Sequence, residues 1–184
     1  MKSLNLDKIR ARLDRIPREF DKQVAQIGIP QGPQYEDGTP VAYVAAIQEF
    51  GAPAVSIPAR PYFRPTITAK KAEWVGVMKQ MLPTVSKGDA SAFDVLDTVG
   101  RVAVADLQQA IAEVYAPPLS PITVLLRKWK KDGRTITGKT VGEAAAAIKA
   151  GEDPGGDDKP LNATGLLIAS MHNAVNAPGS EFSV

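Results

Sequence analysis

The sequence contains no cysteine, which excludes disulfides, thiolate metal sites and cysteine nucleophiles. Its only histidine is His172, so a zinc site lacks a second imidazole or a thiolate. A serine triad would have that one base and no Gly-x-Ser-x-Gly elbow beside it. No apolar run approaches the roughly 18–20 residues that span a bilayer. The start of the chain, Met1-Lys2-Ser3-Leu4-Asn5-Leu6-Asp7, lacks the apolar core of a signal peptide. An excess of one charge is missing too: 22 Lys and Arg stand against 20 Asp and Glu, so no overall field points to nucleic acid or to a membrane. These absences predict a soluble chain made inside a cell, with no metal, no cofactor and no catalytic residue assigned.

What is present suits a globular domain. The 184 residues are 44% apolar and 23% charged, ordinary proportions, and one domain is the default at this length. Such a chain can bury roughly 70% of its unfolded surface. Prolines are concentrated in one place: four of the fifteen lie in Glu49–Pro65, Glu-Phe-Gly-Ala-Pro-Ala-Val-Ser-Ile-Pro-Ala-Arg-Pro-Tyr-Phe-Arg-Pro. Each proline removes an amide donor and opposes a regular helix or a central strand. Residues before proline, here Ala52, Ile57, Arg60 and Arg64, are biased to extended geometry. The stretch reads as a stiff, extended, partly buried connector that presents Arg60, Phe63 and Arg64. An arginine in such a frame pairs with a carboxylate of its own chain or of a neighbour, and both alternatives stand at this point.

The rest of the chain supplies mostly helices. Leu6, Ile9, Leu13, Ile16 and Phe20 recur at helical spacing, with Pro17 expected to kink or restart that helix. Gln23–Ile29 reads as a strand and Tyr35–Thr39 as a turn, with Thr39 and Pro40 as the cap and first position of a helix that carries Val41, Val44, Ala45 and Ile47 and stops at Gly51. A long helix is expected to open at Pro65, with Ile67, Trp74, Met78, Met81 and Leu82 on one face, and to end at Pro83. The longest helix is expected from about Ser91 to Tyr115, with a stripe of Leu96, Val99, Ala103, Leu107, Ile111 and Val114. Ser120 and Pro121 read as the cap and first position of a shorter basic helix through Lys130. Residues 132–159 are the least core-like and read as a mobile insertion, with Val141–Ala150 able to be helical. Leu161–Met171 resumes an apolar pattern, His172–Ala177 reads as a closing strand, and 179–184 as a loose tail. The expected fold is a single α+β domain, with a small, mostly antiparallel sheet packed against several helices, two of them long.

Three other segments invite chemical readings. Gly133-Arg134-Thr135-Ile136-Thr137-Gly138-Lys139-Thr140 satisfies the phosphate-loop pattern letter by letter. That loop must leave a buried parallel strand and enter a helix, whereas an amphipathic basic segment precedes Gly133. A nucleotide-binding role for Lys139 is therefore kept as an alternative. The run 127–139 holds Arg127, Lys128, Lys130, Lys131, Arg134 and Lys139 around Trp129, which makes a nucleic-acid-binding module a second alternative. Glu152, Asp153, Asp157 and Asp158 lack the order of a calcium loop and read as a solvated acidic stretch.

Val44-Ala45-Ala46-Ile47-Gln48-Glu49-Phe50-Gly51 followed by Ile57-Pro58-Ala59-Arg60-Pro61-Tyr62-Phe63-Arg64-Pro65 resembles a signature of tailed-bacteriophage tail-completion and neck proteins, the tail-component and virion-morphogenesis families. Two more segments resemble the same families in the same order. One is Pro117-Pro118-Leu119-Ser120-Pro121-Ile122-Thr123 with Arg127-Lys128. The other is Lys159-Pro160-Leu161-Asn162-Ala163-Thr164-Gly165-Leu166-Leu167-Ile168-Ala169-Ser170. The resemblance implies a structural protein of the virion that completes the tail or joins it to the head. It would act as an oligomeric ring, through contacts with itself and with tail-tube, tail-terminator and connector proteins. Its place would be the head–tail junction or the head-proximal tail end, after assembly in the host cytoplasm. No catalysis and no membrane are implied, and nucleic acid would be met only in a ring lumen. The residues it singles out are Glu49, Phe50, Gly51, Ile57, Arg60, Pro61, Phe63 and Arg64 for the connector or interface. Pro118, Leu119, Thr123, Pro160, Leu161, Thr164 and Gly165 are singled out as structural.

Overall fold

A computed structural model describes residues 6–114, 116–155 and 165–182. In chain order these form α1 (Leu6–Phe20), β1 (Val24–Gly28), α2 (Val41–Phe50), a 3-10 turn at Pro53–Val55, α3 (Phe63–Lys87), α4 (Ala92–Glu113), α5 (Pro121–Lys131), α6 (Gly138–Lys149), α7 (Leu166–Ala169) and β2 (His172–Asn176). The α+β expectation holds: one two-stranded antiparallel sheet is packed by helices, with α3 and α4 the long pair. No described helix is long and apolar enough to cross a membrane.

The sheet joins the two ends of the described chain. Val24 lies opposite Asn176 and Gly28 opposite His172. An isolated pair of strands is marginal in water, and α4 supports this one from below. Gly100 makes the close approach possible: a Cβ there would lie 2.9 Å from the Asn173 side chain. Asn173 in turn donates to Asp97 of α4 at 2.9 Å. Beyond β2 the chain turns back, and the Gln26 amide donates to the Ser180 carbonyl at 2.9 Å. The main core sits on the far half of α4. There Leu107 and Ile111 meet Val41 and Ala45 of α2, Tyr62, Leu167 of α7 and Met171.

Four local expectations are corrected. The helix expected to end at Pro83 continues to Lys87 and closes on Gly88 at φ 86°. Pro83 cannot bond the Lys79 carbonyl, but both residues face solvent, where water can replace the lost donor. This makes α3, with 25 residues, longer than α4, with 22. In the first half of α4 the buried positions are Ala92, Val95 and Gly100 rather than Leu96 and Val99, because β2 presses on the glycine. Helix α1 is continuous through Pro17 and does not restart there. At Ser120 the reading holds: its hydroxyl accepts from the Thr123 amide at 3.2 Å, with Pro121 next. The alanine-rich run forms α6, opened by a capping box between Thr137 and Thr140. It packs on α5, with Val124, Leu125 and Ala144 buried.

Candidate functional site

Helix α2 is apolar almost throughout, and it ends where the chain must reverse. Gly51 has φ 76°, and its amide bonds the Ile47 carbonyl. A Cβ at Gly51 would lie 2.8 Å from the Ala59 backbone nitrogen, so only glycine lets the returning strand pass this close. Ala52 and Ile57 exchange backbone hydrogen bonds at 2.8 and 3.1 Å, and the Arg60 amide donates to the Gln48 carbonyl at 2.7 Å. The expected extended connector is therefore a folded loop strapped to the end of α2. Pro53–Val55 and the left-handed Ser56 (φ 56°) form its tip.

Glu49 sits at the centre and is 5% exposed. One carboxylate oxygen accepts from the Tyr62 and Phe63 amides at 2.8 and 2.9 Å. The other accepts from the Arg64 amide at 3.1 Å and from Arg64 Nε at 2.9 Å. A helix start leaves four amides without partners inside the helix. For α3 these belong to Tyr62, Phe63, Arg64 and Pro65. Glu49 takes the first three, and proline has none to satisfy. This explains why α3 opens at Phe63 and why Arg64, although it precedes a proline, is helical. Burial raises the Glu49 pKa, but the Arg64 side chain and the Phe63, Arg64 and Tyr62 amides outweigh it and hold the carboxylate below its ordinary value. Burial, with the Glu49 charge and Tyr35 adding to it, keeps the Tyr62 phenol protonated far above its usual range.

Arg60 is 4% exposed and turns inward. Its Nε donates to the Pro117 carbonyl at 2.8 Å and its Nη2 to the Pro118 carbonyl at 3.2 Å. Gln48 Oε1 receives Nη1 at 3.4 Å. The first resembling segment is thus bolted to the second. The third arrives through α7: Leu167 is buried in the core cluster beside Val41, Ala45 and Tyr62, and the Ile168 carbonyl accepts from Gln108 at 3.1 Å. Gly165, at φ 67°, starts that turn. Pro160, Leu161 and Thr164 lie outside the described residues. Phe63 packs against the core with its ring edge-on to Tyr62, centroids 6.4 Å apart. Ile57 and Leu119 are half-buried, and Pro61 is exposed.

The outer side of α2 differs from its inner side. Arg64 lies over the Phe50 ring at 4.6 Å, yet Phe50 is 63% exposed and Tyr43 is also largely exposed. Ala42 and Ala46 lie open beside them. Between this face and the body runs a shallow, open groove of about 250 Å³, lined by residues including Ile29, Ala46, Phe50, Phe63 and Met171. Sequence reasoning placed Glu49, Phe50 and Arg64 in this region. It did not single out Tyr43 or Gln48, although Tyr43 and Phe50 are seven residues apart on a helix with few polar positions.

The other chemical candidates fall elsewhere. Gly133–Thr140 runs from one helix, α5, into another, α6, and Lys139 is exposed. Arg134 stacks on Trp129 at 4.1 Å and pairs with Glu143 at 3.0 Å. His172 is half-buried in β2, with Nδ1 3.0 Å from the Ser170 carbonyl. Among the described residues no three His, Asp or Glu gather as a metal would need; Asp157 and Asp158 lie outside them. Compared with family models, curated proteins and solved structures, the chain matches none.

Proposed function

We propose that the protein is a structural component of a tailed-phage virion that completes the tail or joins it to the head, acting by ring assembly rather than by catalysis. The observation that carries this reading is the convergence of the three resembling segments. Residues near 49–64, 117–118 and 165–168, far apart in sequence, are tied together by Arg60, which reaches the second segment, and by Leu167, which packs the third against the first; Glu49 closes the first on itself. The shared residues therefore build one rigid corner. A preordered corner loses less entropy on docking than a flexible one, and this corner presents the open apolar face of α2. A ring needs a surface on each copy that fits a different surface on the next.

The test is deletion of the gene from the phage that carries it, followed by electron microscopy of the lysate. The expected result is filled heads and tails that fail to join, with joined particles restored by the wild-type gene in trans. Normal yields of joined, infectious particles from the deletion would overturn the proposal.

A further inference from the structure

Charge is spread unevenly along this chain. Of 22 Lys and Arg, six lie in the thirteen residues 127–139, beside one of the 20 acids, and the rest of the chain is net negative. The fold gathers these cations on one hairpin. Packing of α5 on α6 uses their apolar residues internally, with Val124, Leu125 and Ala144 buried. What remains outside is mostly charge: Lys128, Lys130, Lys131, Arg134 and Lys139 are all exposed. Arg134 is already engaged, over Trp129 and with Glu143. The four lysines form no ion pair among the described residues. The acids nearest to them are Asp132 at the end of α5, Asp37 within electrostatic reach of Lys130, and Glu152 and Asp153, whose loop passes Lys128 at Gly155. Asp153 is partly occupied, accepting from the Gly155 amide at 3.0 Å.

These side chains narrow the chemistry of a ligand. Lysine is a point charge with rotatable donors, suited to phosphate oxygens rather than to bidentate reading of a base edge. The one aromatic ring, Trp129, is covered by Arg134, so it offers little face on which an unpaired base could stack. Docking on a membrane surface needs an apolar helix face to insert, and here that face is used between α5 and α6. A nucleic-acid duplex carries about one phosphate charge per 1.7 Å of axis and can be held by cations alone. We infer that the tip of the α5–α6 hairpin binds the phosphate backbone of double-stranded DNA without regard to sequence, through Lys128, Lys130, Lys131 and Lys139. The inference is independent of the virion reading and stands or fails without it.

Fluorescence anisotropy of a labelled random-sequence duplex, titrated with the full chain, tests this. Four phosphate contacts predict that log affinity falls with log salt at a slope of about −3 to −4. Lys128→Gln, Lys131→Gln and Lys139→Gln together are expected to lower affinity about tenfold or more at about 50 mM salt, and to flatten the slope to about −1. The control takes three exposed lysines from α3, as Lys71→Gln, Lys79→Gln and Lys87→Gln. It has the same net charge and is expected to bind within about threefold of wild type. Both triple variants are expected to melt like wild type, since every changed position is exposed. A single strand of the same length is expected to bind more weakly than the duplex, and phosphatidylserine vesicles more weakly still. A wild type that does not bind the duplex at low salt, equal losses in the two triple variants, tighter binding to the single strand, or binding to vesicles in place of DNA would overturn the inference.

Discussion

The protein uses the same three side-chain types twice, with different effect. In the corner, Glu49 pairs with Arg64, which lies over Phe50. In the α5–α6 hairpin, Glu143 pairs with Arg134, which lies over Trp129. The ion-pair distances are nearly equal, 2.9 and 3.0 Å. The surroundings are not. The Glu49 side chain is 6% exposed and also caps the amides of α3, while the Glu143 side chain is 41% exposed. A solvent-exposed pair is screened and contributes about 0–1 kcal/mol. A buried carboxylate with several donors cannot be removed without orphaning all of them. Burial and the number of partners, not the pair itself, decide which arginine–glutamate contact the fold depends on.

The comparison breaks most readily at Glu49. Glu49→Ala is expected to cost about 3–5 kcal/mol in urea denaturation, because Arg64 and the amides of Tyr62, Phe63 and Arg64 lose their acceptor together. Next in size is Gly51→Ala, expected to cost about 2–4 kcal/mol, since φ 76° and a 2.8 Å approach to the Ala59 nitrogen are both intolerant of a side chain. The matching change in the hairpin, Gly142→Ala, meets open space within a helix and is expected to stabilise by up to about 1 kcal/mol. Arg60→Ala is expected to cost about 1–3 kcal/mol, by stranding the Pro117 and Pro118 carbonyls.

The Glu49 pKa is lowered in the folded protein, so its contribution is complete above the unfolded-state value of about 4.3. It is lost as pH falls through the lower folded-state value. Melting temperature measured against pH should therefore drop more steeply below about pH 4 in wild type than in Glu49→Gln, which has no such proton to take up. The smallest expected effect is Glu143→Ala, at most about 1 kcal/mol.

These two regions also show what a sequence makes legible. Signals that act within one turn were readable: Gly51 stopping α2, and Ser120 and Pro121 opening α5. The start of α3 was placed at Pro65, two residues late, because its cap is not local. Glu49 lies 13 to 15 residues before the amides that it accepts from, and no local pattern announces such a partner. Pro83 stops a helix in isolation, but here it and Lys79 face solvent and the helix runs on to Lys87. The buried stripe of α4 shifted at Gly100 because a strand from the far end of the chain lies against it. The corner residues fall within the proline-framed stretch, while their inward use, Arg60 on carbonyls and Glu49 on amides, follows only from the folded arrangement.

The most direct test is urea denaturation at pH 7 of Glu49→Gln beside Glu143→Gln, two chemically identical changes in the two pairs. Glu49→Gln is expected to lower stability by about 2 kcal/mol or more, and Glu143→Gln by less than about 1 kcal/mol. Equal shifts would contradict the assignment of Glu49 as the residue that holds the corner together.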